Sequence, residues 1–261
     1  MRTAVESKLA RLTVDIGVPV ARLVLRNAPL NVIDIPMMEE LAQALGEIEA
    51  RSDVSVLVLS GEGRAFSAGV DVAAHTADKV ESMLRKFHAV VRAVVASKKV
   101  TVAAVHGHCL GGGAELAMVC DLVYTTVSAQ WGFPEIKLGC YPPVACTALA
   151  ALVGQKLAAE LILTGRTISG IEAAEIRLAN RAVPDEELVP VVDYTVQELL
   201  RLSPAALAVT KKALYAWDAM HFDKGLARAE KIYLEDLMKT ADAQQGIRAF
   251  MEKREPKWTG N

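Results

Sequence analysis

Apolar runs and helical spacings alternate along the first half of the chain. Ala21-Arg22-Leu23-Val24-Leu25 predicts a strand that ends in the turn-rich Asn27-Ala28-Pro29-Leu30-Asn31. From Pro36 to Ala50, Met38, Leu41, Leu45 and Ile48 fall at helical spacing, with Pro36 suited to a first turn. Val54 to Leu59 is a short apolar run closed by Ser60-Gly61-Glu62-Gly63, the mark of a buried parallel strand. Lys79 to Ser97 returns to helical spacing, Val100–Val105 predicts a second buried strand, and Gly111-Gly112-Gly113 opens a short helix through Met118. Asp121–Thr126 and Ala129–Phe133 predict further strands. This order argues for parallel βαβ units. Beyond about Val144, segments 170–179, 186–202, 204–219 and 223–240 read as helices and strands almost vanish. Ser169 with Glu172, and Ser203 before Pro204, mark helix starts. No linker separates the halves, so no second independent domain is expected.

Composition narrows the class. Of 261 residues, 52% are hydrophobic, yet only five Phe, three Trp and five Tyr occur, so the core is built from Ala, Val, Leu and Ile. That excludes a disordered or disulfide-stapled chain. A net charge of −2 gives no electrostatic reason to expect nucleic acid or an anionic membrane as partner. Cys109, Cys120, Cys140 and Cys146 show no C-x-x-C spacing and are expected to be free thiols in a reducing compartment. Met1 to Leu12 has no apolar signal-peptide core. No run approaches the roughly 18 apolar residues of a membrane span. A soluble cytoplasmic protein is expected.

Two glycine-containing turns follow two of the buried strands: Gly61 to Asp71, and His106 to Glu115. Glycine lets a ligand approach backbone N–H groups, and a glycine run opening a helix presents unpaired donors. Neither turn has the spacing of a P-loop or a dinucleotide fingerprint. Ser67 stands two residues before Gly69, but Ala65 replaces the first glycine of a nucleophile elbow. Glu115 falls in the first turn of the glycine-led helix, where helix-dipole stabilisation alone would explain it. Glu135, in Phe133-Pro134-Glu135, would otherwise be an ordinary loop carboxylate. His106, His108 and Cys109 lie at a strand end with no third ligand nearby, so no metal is expected. His75 reads as a loop residue and His88 as a surface or helix-packing one.

Together these residues resemble the crotonase, or enoyl-CoA hydratase/isomerase, family. Gly-Arg-Ala-Phe-Ser-Ala-Gly-Val-Asp at 63–71 is similar to its first oxyanion loop, and Gly111 to Ala117 with Cys120-Asp121 to its second. Phe133-Pro134-Glu135 is similar to its second carboxylate loop, and Ala249 to Trp258 to its usual ending. The resemblance implies an α/β fold with a ββα spiral core over residues 1–195. A helical region at 196–261 would pack on the core and on neighbouring subunits of a homotrimer or dimer of trimers. It implies an acyl thioester of coenzyme A as substrate, with no separate cofactor and no metal. The N–H groups of Ala68 and Gly112 would hold the thioester oxygen. Glu135 would act as the protonated acid and Glu115 as the carboxylate that activates water. Leu30, Ala65, the backbone of Asp71 and Val72, and Tyr141 would bind substrate. Phe250 and Lys253 would contact coenzyme A from a neighbouring subunit, with ordinary helix packing as the alternative.

Retention of both carboxylates favours a hydratase over an isomerase or hydrolase of the same fold. Cys140-Tyr141-Pro142-Pro143-Val144-Ala145-Cys146 departs from the family's glycine-rich run and adds Tyr141 and Val144 bulk to the acyl pocket. This stretch, with Ser67 to Val72 and His75-Thr76, is similar to hydratases of cyclic dienoyl-CoA thioesters (cyclohexa-1,5-diene-1-carbonyl-CoA type) in anaerobic aromatic degradation. A non-catalytic, RNA-binding member of the fold is the remaining alternative. The two glutamates and the lack of a basic stripe stand against it.

Overall fold

The computed structural model describes residues 9–260, and their side chains except those of 216–220. The reading of residues 1–8 as free of an export signal lies outside the described residues. A hairpin of β1 (Leu12–Gly17) and β2 (Val20–Leu25) leads into α1 (Ile35–Ala50). The core then runs β3 (Val56–Gly61), β4 (Ala65–Ser67), α2 (Val80–Ala96), β5 (Val100–Val105), β6 (His108–Leu110) and α3 (Gly112–Met118). It continues through β7 (Leu122–Thr126), β8 (Gln130–Gly132), α4 (Pro143–Val153), α5 (Gln155–Thr164), β9 (Thr167–Ser169), α6 (Gly170–Glu175) and β10 (Arg181–Val183). Four helices close the chain: α7 (Leu188–Leu200), α8 (Pro204–Leu214), α9 (Ala216–Glu235) and α10 (Ala241–Met251).

The strands form two sheets, ordered β1-β2-β3-β5-β7-β10 and β4-β6-β8-β9. Each turn of the spiral gives one strand to the first sheet and the next strand to the second before a helix or helical turn returns the chain. The repeat is therefore ββα; the simple βαβ expectation missed β4 and β6, which lie inside the two glycine turns. Strands after Val144 do not vanish either: β9 pairs antiparallel with β8, and β10 parallel with β7. Both have three residues, too few for a two-residue alternation to show.

The apolar runs of β3 and β5 follow from burial on both faces. Leu57, Leu59, Ala103 and Val105 face the main core with α1 and α2. Val56, Val58, Val102 and Ala104 face a second core covered by Leu188, Val192 and Val196 of α7. The division expected at 195/196 thus falls inside α7, a helix that packs on the sheet. Among the described residues no helix is long and apolar enough to cross a membrane. All four cysteines are free, and only Cys146 is exposed.

A buried ion pair fastens α8 to the sheet. Lys211 Nζ lies 2.8 Å from Asp121 Oδ2 and donates to the Lys99 carbonyl at 2.9 Å. The same carboxylate oxygen accepts from Thr101 N and Oγ1. Removing one partner of a buried pair leaves the other charge uncompensated. Lys211→Met is expected to cost about 3–5 kcal/mol in urea unfolding at pH 7. Asp121→Asn in the same background should return part of that loss.

Candidate active site

Three loops converge because β4, β6 and β8 are adjacent and parallel. Their carboxyl ends release Ala68-Gly69-Val70, the α3 N-terminus and the helical turn Pro134–Leu138, which carries Glu135. The carboxyl ends of parallel strands are the usual place for ligands in open α/β sheets.

The first loop corrects one assignment. Ala68 N–H is committed, donating to the Leu30 carbonyl at 2.9 Å. Ile33 N–H donates to the Gly69 carbonyl and Asp71 N–H donates to the Ile33 carbonyl, so Ile33 brackets Val70 in a parallel bridge. The bracketed residue's own N–H points away from its partner. Val70 N therefore turns toward α3, and a Cβ built on Gly112 would stand 3.4 Å from it. Gly112 is the first residue of α3, where an N–H has no acceptor within the helix. The two converging donors are Val70 and Gly112. Gly112 has no room for a side chain: its Cβ would meet Val70 Cγ2 at 2.6 Å and the Phe87 ring at 3.2 Å.

Buried polar groups brace this loop. Ser67 Oγ donates to the Asn31 carbonyl at 2.7 Å and accepts from Gly69 N, which leaves it no part as a nucleophile. Asn31 Nδ2 donates to the carbonyls of Glu62 and Ala65. Ala65 is fully buried with its carbonyl engaged and is absent from the cavity wall. Asp71 is likewise occupied: its carboxylate accepts from Ala73 N, and its carbonyl from Ala74 N with the His75 ring alongside. Leu30 contributes its carbonyl to Ala68 and is absent from the cavity wall.

The carboxyls sit in unlike settings. Glu115 is 2% exposed, and its Oε1 accepts from Ala145 N at 2.9 Å, in the first turn of α4. Burial pushes its pKa up to about 7, against the pull of the Ala145 and Val144 amides toward the anion. Glu135 Oε2 is buried with no hydrogen-bond partner. Burial first, and the Glu115 charge second, hold the Glu135 carboxyl well above the usual carboxylate range. Glu135 holds its proton more firmly than Glu115, since the hydrogen-bonded member carries the charge more easily.

Both carboxyls line one cavity of about 80 Å³ with Ala68, Gly69, Val70, Gly111 and Gly112. Val72, His75 and Tyr141 also line it. Tyr141 donates its hydroxyl to the Ala229 carbonyl, and its ring packs against Tyr233 at 5.0 Å. Val144 does not reach the cavity: it is fully buried behind the wall, and Pro142 and Pro143 take that place. Phe250 and Lys253 are exposed outside it, at the end of α10 and just beyond. The sequence did not single out Val70 or Tyr233 and placed His88 elsewhere; His88 is fully buried and, with Tyr233, lines the same cavity. Among the described residues no group of three or more His, Cys, Asp or Glu is placed to hold a metal ion.

Gly111 sets the position of Glu135. Its φ of +51° suits glycine, and a Cβ there would stand 2.5 Å from Glu135 Oε1. Displacing a reacting group by about 1 Å costs on the order of a hundredfold in rate. Gly111→Ala is expected to lower kcat by that order while a non-reactive acyl-CoA still binds, measured by steady-state kinetics and calorimetry.

The chain is similar to known proteins over almost all its length. A family profile described as "Enoyl-CoA hydratase/isomerase" matches residues 16–261. A cyclohexa-1,5-dienecarbonyl-CoA hydratase of Thauera aromatica is 34% identical over 237 residues, 91% of this chain and 92% of that one. A putative enoyl-CoA hydratase of Thermus thermophilus is 35% identical over 242 residues, 87% of this chain and 92% of that one. Among solved structures, an enoyl-CoA hydratase from Mycobacterium avium subsp. paratuberculosis superposes with a TM-score of 0.86 at 28% identity, covering 96% of this chain and 99% of that one.

Proposed function

Because the chain belongs to the enoyl-CoA hydratase/isomerase family, we propose that it adds water across the α,β double bond of an acyl-CoA thioester. One observation carries this reading: two buried carboxyls, one hydrogen-bonded and one without a partner, share a cavity with two converging backbone amides. The Val70 and Gly112 N–H groups hold the thioester oxygen and stabilise the negative charge that grows there. A donor of this kind typically contributes about 3–4 kcal/mol at the transition state. Water's oxygen bonds to Cβ as its proton passes to Glu115. Glu135 gives its proton to Cα on the same face. Return of the proton from Glu115 to Glu135 resets the pair. No separate cofactor is needed, since coenzyme A arrives as part of the substrate.

A second reading narrows the acyl group to a cyclic diene. The Thauera aromatica relative and the proline-rich wall at Pro142 and Pro143 favour it. A cavity of roughly 150 Å³ accepts benzene. The present 80 Å³ accepts a six-membered ring only if the wall formed by Tyr141 and Tyr233 moves outward. Mass analysis of products from crotonyl-CoA and cyclohexa-1,5-diene-1-carbonyl-CoA tests both. A gain of one water on either thioester is expected. An unchanged mass with a shifted double bond, or release of free coenzyme A, would overturn hydration. Assembly as a trimer or a dimer of trimers belongs to the same proposal. Leu163, Tyr194, Val209 and Leu214, each at least 68% exposed, supply apolar surface for it. A stable monomer in sedimentation at micromolar concentration would count against it.

A further inference from the structure

We propose that His88 and Tyr233 select an acyl group carrying a hydroxyl. The inference rests on the hydration reading above and names the class of substrate within it. Two side chains of the cavity wall each carry a poorly partnered polar atom and have no part in the proton transfers. His88 is 0% exposed; its Nε2 makes no hydrogen bond, and its Nδ1 faces only Glu230, at 3.5 Å. Tyr233 is 1% exposed and its hydroxyl has no oxygen or nitrogen partner, only the Cys140 thiol, a weak hydrogen-bonding group, beside it. Leaving such buried groups unpaired costs stability, and a ligand group can complete them.

The electrostatics say which ligand group fits. His88 Nδ1 lies 3.5 Å from Glu230 Oε2, and Arg92 approaches the same oxygen at 3.9 Å. The Arg92 guanidinium lies between Glu230 and Asp223, and burial holds His88 neutral, its pKa pushed down to about 4. With the Nδ1 hydrogen directed at Glu230, Nε2 is an acceptor. The Tyr233 hydroxyl can donate. An acceptor and a donor together match a hydroxyl, which gives one hydrogen bond and takes one. A carboxylate is disfavoured by Glu115 and Glu230. A plain hydrocarbon leaves both polar groups unpaired, the situation in which polar pockets discriminate most strongly.

The test uses saturated thioesters, which bind without reacting. Butyryl-CoA is paired with 4-hydroxybutyryl-CoA, and cyclohexanecarbonyl-CoA with its 2-, 3- and 4-hydroxy derivatives, in calorimetry with the full chain. At least one hydroxylated member is expected to bind tenfold or more tightly than its hydrocarbon partner. That ratio should fall toward one in Tyr233→Phe and in His88→Phe. A ratio near one in the unaltered protein, or one that survives both substitutions, overturns the inference. Crotonyl-CoA hydration is followed in parallel. Its absence with the binding preference intact would sink the hydration reading alone, whereas hydration without a preference would sink the selectivity alone.

Discussion

Glu135→Gln is expected to abolish most turnover while leaving acyl-CoA binding in place. The amide so introduced keeps the shape of the side chain but has no transferable proton for Cα. General acid–base groups contribute about a hundredfold to ten-thousandfold each, and a loss in kcat of that size is expected. Glu115→Gln should lose a similar factor for the opposite reason, because an amide takes no proton from water. The side-chain carbonyl of that variant can still accept from Ala145 N, so the α4 cap survives. The double variant should be little slower than either single one, since two groups that act in one concerted transfer are not additive. Steady-state kinetics with crotonyl-CoA and calorimetry with butyryl-CoA check this. Normal hydration by both single variants would refute the carboxylate mechanism.

The second large effect is in pH. Glu115 must be ionised to take a proton, and its pKa is pushed up to about 7. Below that, kcat/KM should fall about tenfold per pH unit. Glu135 must be protonated, and its pKa is raised well above the usual range, so activity should fall again on the alkaline side. The two limbs belong to the pair as a unit. The acid limb should vanish from the residual activity of Glu115→Gln. Stability moves the other way. Both carboxyls have folded pKa values above their unfolded ones, so their contribution to folding is complete below about pH 4.5. It is lost as pH rises through 7. Relative to wild type, Glu115→Gln should gain about 3 kcal/mol between pH 4.5 and 8, read from urea unfolding at each pH. A pH-independent difference would show that burial does not perturb Glu115.

The sequence made the framework legible, because β3, β5 and the helices between them are long and periodic. It also made Glu115 and Glu135 legible, through the glycine run and the Phe-Pro-Glu turn that carry them. It left open which amide of Ala68-Gly69-Val70 faces inward. That choice depends on the bridge from Ile33, a contact across more than thirty positions that no local spacing reveals. The same distance effect hid the acyl wall. His88 follows the apolar spacing of α2, and Tyr233 sits in a helix of low hydrophobic contrast, so both read as packing. Only the fold shows that they meet the carboxyls in one cavity. The reach of helix 204–219 was overestimated because its apolar spacing continues past Tyr215, where the chain divides into α8 and α9.

The cavity draws its parts from distant stretches of polypeptide. The Val70 and Gly112 amides, Glu115 and Glu135 come from the ends of three neighbouring strands, whereas His88 arrives on α2 and Tyr233 on α9, almost a hundred residues after Glu135. On the roles proposed for His88 and Tyr233, substitutions in α2 and α9 can retune which thioester is accepted while the strand-end loops that carry both glutamates stay unaltered.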